Sequence, residues 1–251
     1  MRLENKIAVV TGASSGMGHD MAKAFVAEGA SVVAVARRVE RLEKLVAECE
    51  GLPGRIATFP ADLMKKEGNE AMIDFAIETF GGFDILVNNA GVMDNMASVK
   101  NVTDERMEQL MQLNVYAPTY SMRKAVNYWV DNGKKGCILN ISSIGGLRAV
   151  AGFAYMATKS ALIAMSKNTS YMFRNQGIRC NVIAPGNIET EITSSMGQPD
   201  MESFDKFRPY FATGNKPGKG SDIANAAVFL CSDEASYVNG DVMVIDGGWL
   251  S

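Results

Sequence analysis

Short apolar runs alternate regularly with longer segments of helical periodicity along the whole chain, and this alternation is what most constrains the fold. The run from Phe83 to Val87 is almost continuously apolar, as expected for a strand that helices cover on both faces. We therefore predict one doubly wound α/β domain over residues 1–251, with a parallel sheet of about seven strands and helices on both faces. The predicted strands are Lys6–Val10, Ala30–Ala36, Arg55–Phe59, Phe83–Val87, Ile138–Ile141, Ile178–Ile183 and Asp241–Ile245.

The composition excludes several classes of function. A net charge of -3 over 251 residues argues against a nucleic-acid surface. No apolar run approaches the ~18 residues of a membrane span, and the N-terminus enters a strand-like segment without a signal sequence, so we expect a cytoplasmic protein. Its four cysteines have no paired spacing and are predicted to be reduced core residues.

The single histidine, His19, follows a glycine-rich turn and is predicted to lie in the first turn of a helix. One histidine without clustered cysteines builds neither a Ser-His-Asp triad nor a zinc site, so we expect chemistry without a metal.

The turn between the first strand and the first helix has the composition of a phosphate cradle. Three glycines, Gly12, Gly16 and Gly18, fit a tight turn, a close backbone approach to a pyrophosphate and close packing of helix on strand. The spacing is G-x-x-x-G-x-G, and a purely structural turn is the alternative. The candidate cofactor contacts in this turn are Gly12, Ser14, Ser15, Gly16, Met17 and Gly18.

The second predicted strand ends where an acidic residue would hold the ribose 2′-hydroxyl of NAD, and here the residue is Ala36. Arg37 and Arg38 follow, and two guanidinium groups can bind a 2′-phosphate bidentately. The alternative is that they merely open a solvated helix, although cations at a helix start oppose its dipole. We therefore predict NADP(H) as the cofactor.

Further polar residues follow other strands. Asp62, with Leu63 beside it, can accept a hydrogen bond from an adenine amino group or sit in an ordinary loop. The segment Asn89, Ala90 and Gly91 forms either a simple turn or the floor of an adenosine pocket. Asn114 lies among apolar residues of a long helical stretch, 103–130, and is either a satisfied core amide or a member of a functional polar network. Pro118 predicts a kink or an irregular turn near Asn114.

A segment near the middle of the chain carries the groups for proton transfer. Ser142 and Ser143 stand where the apolar strand Ile138–Ile141 ends. Beyond a glycine-spaced turn, Tyr155 and Lys159 lie four residues apart and so share one helix face. A phenol beside an ammonium and a hydroxyl can exchange a proton with an alcohol.

The sixth strand leads into a segment that is predicted to cover the site. Pro185, Gly186, Ile188 and Thr190 leave its end, and residues 191–215 lose clear periodicity. A long irregular insert in a compact domain is usually a lid, so we predict a substrate lid at about 189–215. Ser221 is predicted to cap the helix that follows.

Taken together, these motifs resemble the short-chain dehydrogenase/reductase family, in the same order and spacing from Lys6 to Gly248. A second Tyr-x-x-x-Lys pair, Tyr120 and Lys124, lies inside a predicted long helix. No strand that ends in serines precedes it, so this pair is not part of the resemblance. The motifs that carry it are Thr11-Gly-x-x-x-Gly-x-Gly18, Asn88-Asn-Ala-Gly91, Asn114, Asn140-Ile-Ser-Ser143, Tyr155-x-x-x-Lys159 and Pro185-Gly186.

The resemblance implies a Rossmann fold and a set of roles. Tyr155 is the expected general acid/base, and the Lys159 ammonium is expected to lower its pKa and to bind the nicotinamide ribose. A serine would bind the substrate oxygen, and Asn114 would hold a water in a proton relay. Pro185–Thr190 would contact the nicotinamide amide, Asp62 the adenine, and Arg37, supported by Arg38, the 2′-phosphate.

Two departures from the family pattern affect these assignments. The catalytic serine is usually the second of the pair, which is Ser143, and usually lies thirteen residues before the tyrosine, which gives Ser142. Strand alternation favours Ser143, with Ser142 as the alternative. Many NADP-using relatives also carry a basic residue where this chain has Ser15.

We predict an NADP(H)-dependent oxidoreductase that interconverts a secondary alcohol and a ketone. The methionines and aromatic residues of the lid favour a bulky apolar substrate, such as a steroid, bile acid or acyl ketone. The alternatives are NAD(H)-dependent oxidation of a sugar, polyol or 3-hydroxyacyl substrate, and a non-catalytic NADP(H) sensor. By resemblance the protein is expected to be a homotetramer that pairs helices near 103–131 and 152–175.

Overall fold

The seven predicted strands form one parallel sheet in the computed structural model, which describes residues 1–214 and 216–251. Their order is β3-β2-β1-β4-β5-β6-β7, and every pair of neighbours is parallel. The strands are β1 (Ile7–Thr11), β2 (Ser31–Ala36), β3 (Arg55–Pro60), β4 (Ile85–Asn88), β5 (Gly136–Ile141), β6 (Ile178–Pro185) and β7 (Val242–Ile245).

Eight α-helices in the described part of the chain connect and cover these strands. They are α1 (Gly16–Ala27), α2 (Val39–Glu48), α3 (Lys66–Phe80), α4 (Asp104–Met111), α5 (Ala117–Asp131), α6 (Phe153–Phe173), α7 (Met201–Phe211) and α8 (Gly220–Cys231). Side chains of α1, α2 and α8 pack on one face of the sheet, and side chains of α3, α5 and α6 pack on the other. The doubly wound fold with helices on both faces is confirmed.

The strand order reverses between β1 and β4, and this reversal decides where a ligand can bind. In an open parallel sheet the connections on either side of such a reversal diverge and leave a crevice at the carboxyl ends of the strands. The segments that leave β1 and β4 carry the glycine-rich turn and the Asn89-Ala90-Gly91 turn. The fold therefore brings these two motifs to one crevice.

Two buried amides join β4 to β5 and to the helices behind them. Asn88 Nδ2 donates to Asn140 Oδ1 at 2.8 Å, and Asn140 Nδ2 donates to Ser166 Oγ on α6 at 2.7 Å. Ser121 Oγ on α5 donates to Asn88 Oδ1 at 2.8 Å. The network thus fixes both strands and both helices relative to one another.

Several local predictions differ from the structure. The predicted helix over 103–130 is divided by a π-helical turn at Gln112–Tyr116, which is the irregularity that Pro118 indicated near Asn114. Ser221 does not cap α8; Lys219 is the N-cap residue, and its N–H donates to Asp222 Oδ2 at 2.8 Å. Residues 191–214 contain a 3-10 segment (Glu191–Ser195) and α7, so irregular backbone is limited to 196–200 and 212–214. Asn215, the last residue of the predicted lid, lies outside the described residues.

The four cysteines are free and buried, as predicted. Among the described residues, no helix is long and apolar enough to cross a membrane.

Candidate active site

A cavity of about 340 Å³ lies at the carboxyl ends of β1, β2, β3 and β4. Its walls contain most of the predicted cofactor contacts, together with Glu191, Ser195 and Gln109, which the sequence did not indicate. The predicted residues that line it are Gly12, Ser14, Ser15, Gly16, Met17, Arg37, Arg38, Asp62, Leu63, Asn89, Ala90, Gly91 and Thr190.

The glycine-rich turn leaves backbone donors free toward this cavity. Gly12 and Gly16 have φ angles of 69° and 56°, and a Cβ atom on Gly16 would lie 2.9 Å from Thr190 Cγ2. Ser15 stands at the N-cap of α1 but its side chain caps no N–H group, and the first turn carries no acidic residue. A helix start with open N–H groups attracts anions, so this wall fits the pyrophosphate of a dinucleotide.

Thr11 ties the neighbouring turn to the same wall. Its hydroxyl donates to the Val87 carbonyl at 3.2 Å and accepts from the N–H groups of Asn89 at 2.9 Å and Ala90 at 3.1 Å. The Asn89 amide in turn donates to the Thr11 carbonyl at 2.9 Å. These bonds hold Asn89, Ala90 and Gly91 against β1, on the cavity wall.

The two arginines after β2 differ in their surroundings. Arg38 Nη2 donates to Ser14 Oγ at 3.0 Å and to Ser15 Oγ at 2.9 Å, and Arg38 Nη1 lies 3.2 Å from Glu191 Oε2. Arg37 is exposed and lines the same cavity. The guanidinium group of Arg38 is therefore held in place by protein contacts, although the prediction assigns the larger part in 2′-phosphate binding to Arg37.

Tyr155, Lys159 and Ser143 lie together beyond the end of β5. The Ser143 hydroxyl lies beside the Tyr155 ring, since a Cβ atom on Gly145 would be 3.5 Å from Ser143 Oγ and 3.7 Å from Tyr155 Cδ1. The Lys159 ammonium lies 5.6 Å from the centre of the same ring. Lys159 Nζ donates to the Ile141 carbonyl at 2.9 Å, so β5 fixes the position of the ammonium. A Cβ atom on Gly91 would lie 3.5 Å from Lys159 Nζ, so this group adjoins the cavity at Gly91.

Burial dominates the ionisation of this group. It raises the pKa of Tyr155 to about 12, although the hydrogen bond from Ser143 acts in the opposite direction. It also lowers the pKa of Lys159 to about 8. Desolvation therefore sets the net direction of the pKa shift of the phenol in the protein alone, and the lowering of this pKa by Lys159 stays a prediction.

The second serine and Asn114 have structural partners. Ser142 Oγ donates to the Lys159 carbonyl at 2.9 Å and is buried, so it faces the interior of α6. Asn114 Oδ1 accepts from Val92 N at 3.0 Å, and its Nδ2 donates to the Val92 carbonyl and to Thr158 Oγ1. Both amide hydrogens of Asn114 are thus taken by protein groups, which leaves only Oδ1 for the predicted water.

Asp94 is a buried acid at this site that the sequence did not indicate. Its Oδ2 accepts from the N–H of Tyr155 at 2.9 Å, and its Oδ1 accepts from the N–H of Met96 at 3.1 Å. Burial raises the pKa of Asp94, although these backbone donors act in the opposite direction. The carboxylate thereby holds the first turn of α6, which carries Tyr155, to the segment that follows β4.

Six predicted cofactor contacts do not line the cavity: Tyr155 and Lys159, described above, and Gly18, Pro185, Gly186 and Ile188. Pro185 is the last residue of β6 and is paired with Ile245, and the Gly186 N–H donates to the Ile245 carbonyl at 2.9 Å. The partly buried side chain of Ile188 packs against the hydrophobic core. Gly18 is packed against Gly12 and Asn89, which agrees with the close helix–strand contact that was expected of it.

The aromatic residues of the lid pack on one another. Tyr210 stacks on Trp249 with 4.6 Å between ring centres, and Phe204 lies 5.5 Å from Phe211. At the other end of the lid, the Arg106 guanidinium donates to the carbonyls of Met93 and Ser195. The bonds of Arg106 attach the lid to the segment after β4. The ring contacts cover part of the aromatic surface from which a bulky substrate was predicted.

Comparisons with known proteins agree with this geometry. The family model described as Enoyl-(Acyl carrier protein) reductase matches residues 12–250. The chain is 38% identical to 3beta-hydroxysteroid dehydrogenase 2 of Eggerthella lenta over 248 residues, which cover 98% of this chain and 95% of the relative.

Two solved structures superpose closely on the whole chain. A short chain dehydrogenase from Burkholderia cenocepacia in complex with NADP has a TM-score of 0.87 and 29% identity, and the match covers 100% of both chains. The 3-ketoacyl-(acyl-carrier-protein) reductase from Brucella melitensis, complexed with NADH, has a TM-score of 0.86 and 31% identity, covering 98% of this chain and 99% of its own.

The fold and the site define a nicotinamide-dependent oxidoreductase that acts on alcohols or ketones. The chain belongs to the short-chain dehydrogenase/reductase family.

The geometry separates the two serines, and substitutions can test the separation. Ser143→Ala removes the hydroxyl beside the phenol and is expected to lower kcat/KM by about 100-fold or more, because an oriented donor at the reacting oxygen is lost. Ser142→Ala removes one buried hydrogen bond and is expected to cost about 1 kcal/mol of stability with a smaller effect on kcat. Steady-state kinetics and thermal unfolding of both variants measure this, and a larger kcat loss in Ser142→Ala would reverse the assignment.

Proposed function

We propose that this protein transfers a hydride between NADP(H) and a secondary alcohol or ketone, with Tyr155 as the general acid/base. The observation that carries the proposal is the cluster of Tyr155, Ser143 and Lys159, which adjoins the dinucleotide-shaped cavity at Gly91. In this cluster, a phenol that can give or take a proton stands beside a hydroxyl and a fixed ammonium.

The chain's own residues perform the proton transfer and the orientation. When bound, the nicotinamide supplies or accepts the hydride. In ketone reduction the Tyr155 hydroxyl gives its proton to the carbonyl oxygen, and in alcohol oxidation the phenolate takes the hydroxyl proton. Ser143 holds the substrate oxygen, and the positive charge of Lys159 stabilises the phenolate left on Tyr155.

The substrate we propose is a bulky apolar ketone or alcohol, steroid-like or acyl. The likeness to a 3beta-hydroxysteroid dehydrogenase supports it, as do the methionines beside the site, although the lid aromatics pack mainly on one another. NAD(H)-dependent turnover of a 3-hydroxyacyl substrate is the second candidate, and the likeness to a ketoacyl reductase complexed with NADH favours it.

Turnover separates these candidates from a non-catalytic sensor. NADPH consumption is expected with cyclic and steroid ketones at rates well above those with a 3-oxoacyl thioester. Tyr155→Phe is expected to reduce the rate by at least about 100-fold, because it removes the phenol that exchanges a proton with the reacting oxygen, while NADPH binding is retained. Binding without turnover of any ketone in the native protein would instead indicate a sensor.

The cofactor preference rests on Ala36 and on the guanidinium groups of Arg37 and Arg38 at the cavity wall. Arg38→Ala is expected to weaken NADPH binding by about tenfold or more, because charge-assisted hydrogen bonds to a phosphate are lost, and Arg37→Ala to weaken it less. NADH binding is expected to change little in either variant. Fluorescence titration measures all four affinities.

Arg208→Ala provides the matched control, because Arg208 is an exposed lid arginine whose guanidinium pairs with Asp205 at 2.7 Å. Its affinity for NADPH is expected to equal that of the native chain. Equal or tighter binding of NADH by the native chain would contradict the NADP(H) preference.

The two shifted pKa values predict opposite pH dependences for the two directions. A phenol with a pKa of about 12 stays protonated through neutral pH, so ketone reduction is expected to be flat below pH 8. It should fall above that pH, where Lys159 loses its proton. Alcohol oxidation needs the phenolate, whose fraction increases with pH, so its kcat/KM is expected to rise from pH 6 to 8. Initial rates in both directions with saturating dinucleotide measure the profiles, and parallel profiles would contradict these roles.

We also propose that the protein is a homotetramer. An open groove between α5 and α6, lined by Met122, Val126, Met165 and Phe173 among others, supports pairing of these helices between copies. Sedimentation equilibrium tests the proposal, and a monomer at micromolar concentration would contradict it.

A further inference from the structure

Glu191, a residue of the predicted lid, forms ion pairs with two arginines, and one of them, Arg38, stands at the proposed 2′-phosphate site. Glu191 Oε2 lies 3.2 Å from Arg38 Nη1 and 2.6 Å from Arg41 Nη1. Glu191 and Arg38 both line the cofactor cavity. The two arginines hold the pKa of Glu191 below its usual range, so this side chain is an anion at neutral pH.

The guanidinium group of Arg38 donates to protein groups on two sides. On one side its Nη2 and Nε reach Ser14 Oγ, and Nη2 also reaches Ser15 Oγ; on the other side its Nη1 reaches Glu191. A carboxylate and a phosphate oxygen demand the same geometry from a guanidinium group. Glu191 and a 2′-phosphate therefore use the same N–H groups and carry the same sign of charge.

The position of Glu191 in the chain connects this contact to the lid. Glu191 directly follows Thr190 and begins the 3-10 segment that ends at Ser195. Ser195 Oγ accepts from Met93 N at 3.0 Å, which fixes the other end of the segment. The side chain of Glu191 is about half exposed (50%), so it can turn into solvent without opening the core.

We infer that Glu191 is a specificity-determining residue, an internal anion that competes with the cofactor's 2′-phosphate for Arg38 and Arg41. When NAD(H) binds, the Glu191 carboxylate stays paired with Arg38 and Arg41, and the first turn of the lid stays attached to α2. When NADP(H) binds, its 2′-phosphate displaces the Glu191 carboxylate from the arginines, and the first turn of the lid loses its contact with α2. The inference rests on the proposed function. It means that Glu191 reduces the preference for NADP(H) over NAD(H) that the arginines produce.

The test compares Glu191→Gln with the native chain by fluorescence titration of NADPH and NADH. Removing the competing charge is expected to tighten NADPH binding by about threefold to fivefold, as for other exposed ion pairs, and to leave NADH within about twofold. The gain should shrink as salt is added. An unchanged ratio of the two affinities, or weaker NADPH binding, would overturn the inference.

Glu202→Gln is the matched control. Glu202 is also a lid glutamate, paired with Lys100 at 2.9 Å, and it does not line the described cofactor cavity. This variant loses one lid carboxylate and one surface ion pair, and its ratio of NADPH to NADH affinity is expected to equal that of the native chain. A gain equal to that of Glu191→Gln would show a general charge effect and would overturn the inference.

A second measurement locates the effect on the 2′-phosphate. Adenosine 2′,5′-bisphosphate and 5′-AMP lack the nicotinamide, and calorimetry should show the same relative gain for the bisphosphate in Glu191→Gln. A gain confined to the complete dinucleotide would overturn the inference. Failure of the native chain to bind either dinucleotide would overturn the proposed function as well, whereas binding of both with an unchanged ratio would overturn this inference alone.

Discussion

The hydrogen bond between Asn88 and Asn140 is the constraint on which the geometry of the site depends. Two amides buried between apolar strands are costly unless every polar atom finds a partner, and here the partners come from α5 and α6. Satisfying them fixes β4 against β5 and α6 against both strands. Tyr155 and Lys159 lie on α6, and Ser143 follows β5, so this buried network sets the distance between the reacting groups and the strand ends.

Electrostatics at the site reflects the same close packing. Burial penalises the charged forms of Tyr155 and Lys159, which moves the pKa of the phenol up and that of the ammonium down. Burial therefore moves the pKa of Lys159 toward neutral pH and the pKa of Tyr155 away from it. The protein fixes the position of the two groups through the Ile141 carbonyl, which accepts from the Lys159 ammonium, and through Ser143 beside the phenol.

The sequence predicted the sheet well because each strand is a continuous β-branched or apolar run, which a sheet covered on both faces requires. It also distinguished Tyr155 from Tyr120, whose neighbour Lys124 pairs with Asp74 on the surface of α3 and α5. The parts that it missed depend on partners far along the chain. Asp94 acts on a helix 61 residues later, and Glu191 contacts an arginine 150 residues earlier. Helix α7 was also missed, because Pro209 and its mixed aromatic pattern hide the helical period.

The hydrogen bond between Asp94 and the start of α6 fixes the number of residues in the loop that follows β4. The chain from Gly91 to Asp94 must end with its carboxylate on the N–H of Tyr155, and Gly152 is packed so closely against that carboxylate that a side chain has no room there. An inserted or deleted residue between Gly91 and Asp94 would move the start of α6 rather than merely reshape the surface. Anyone redesigning this enzyme for a new substrate would therefore vary side chains around the loop and keep its number of residues constant.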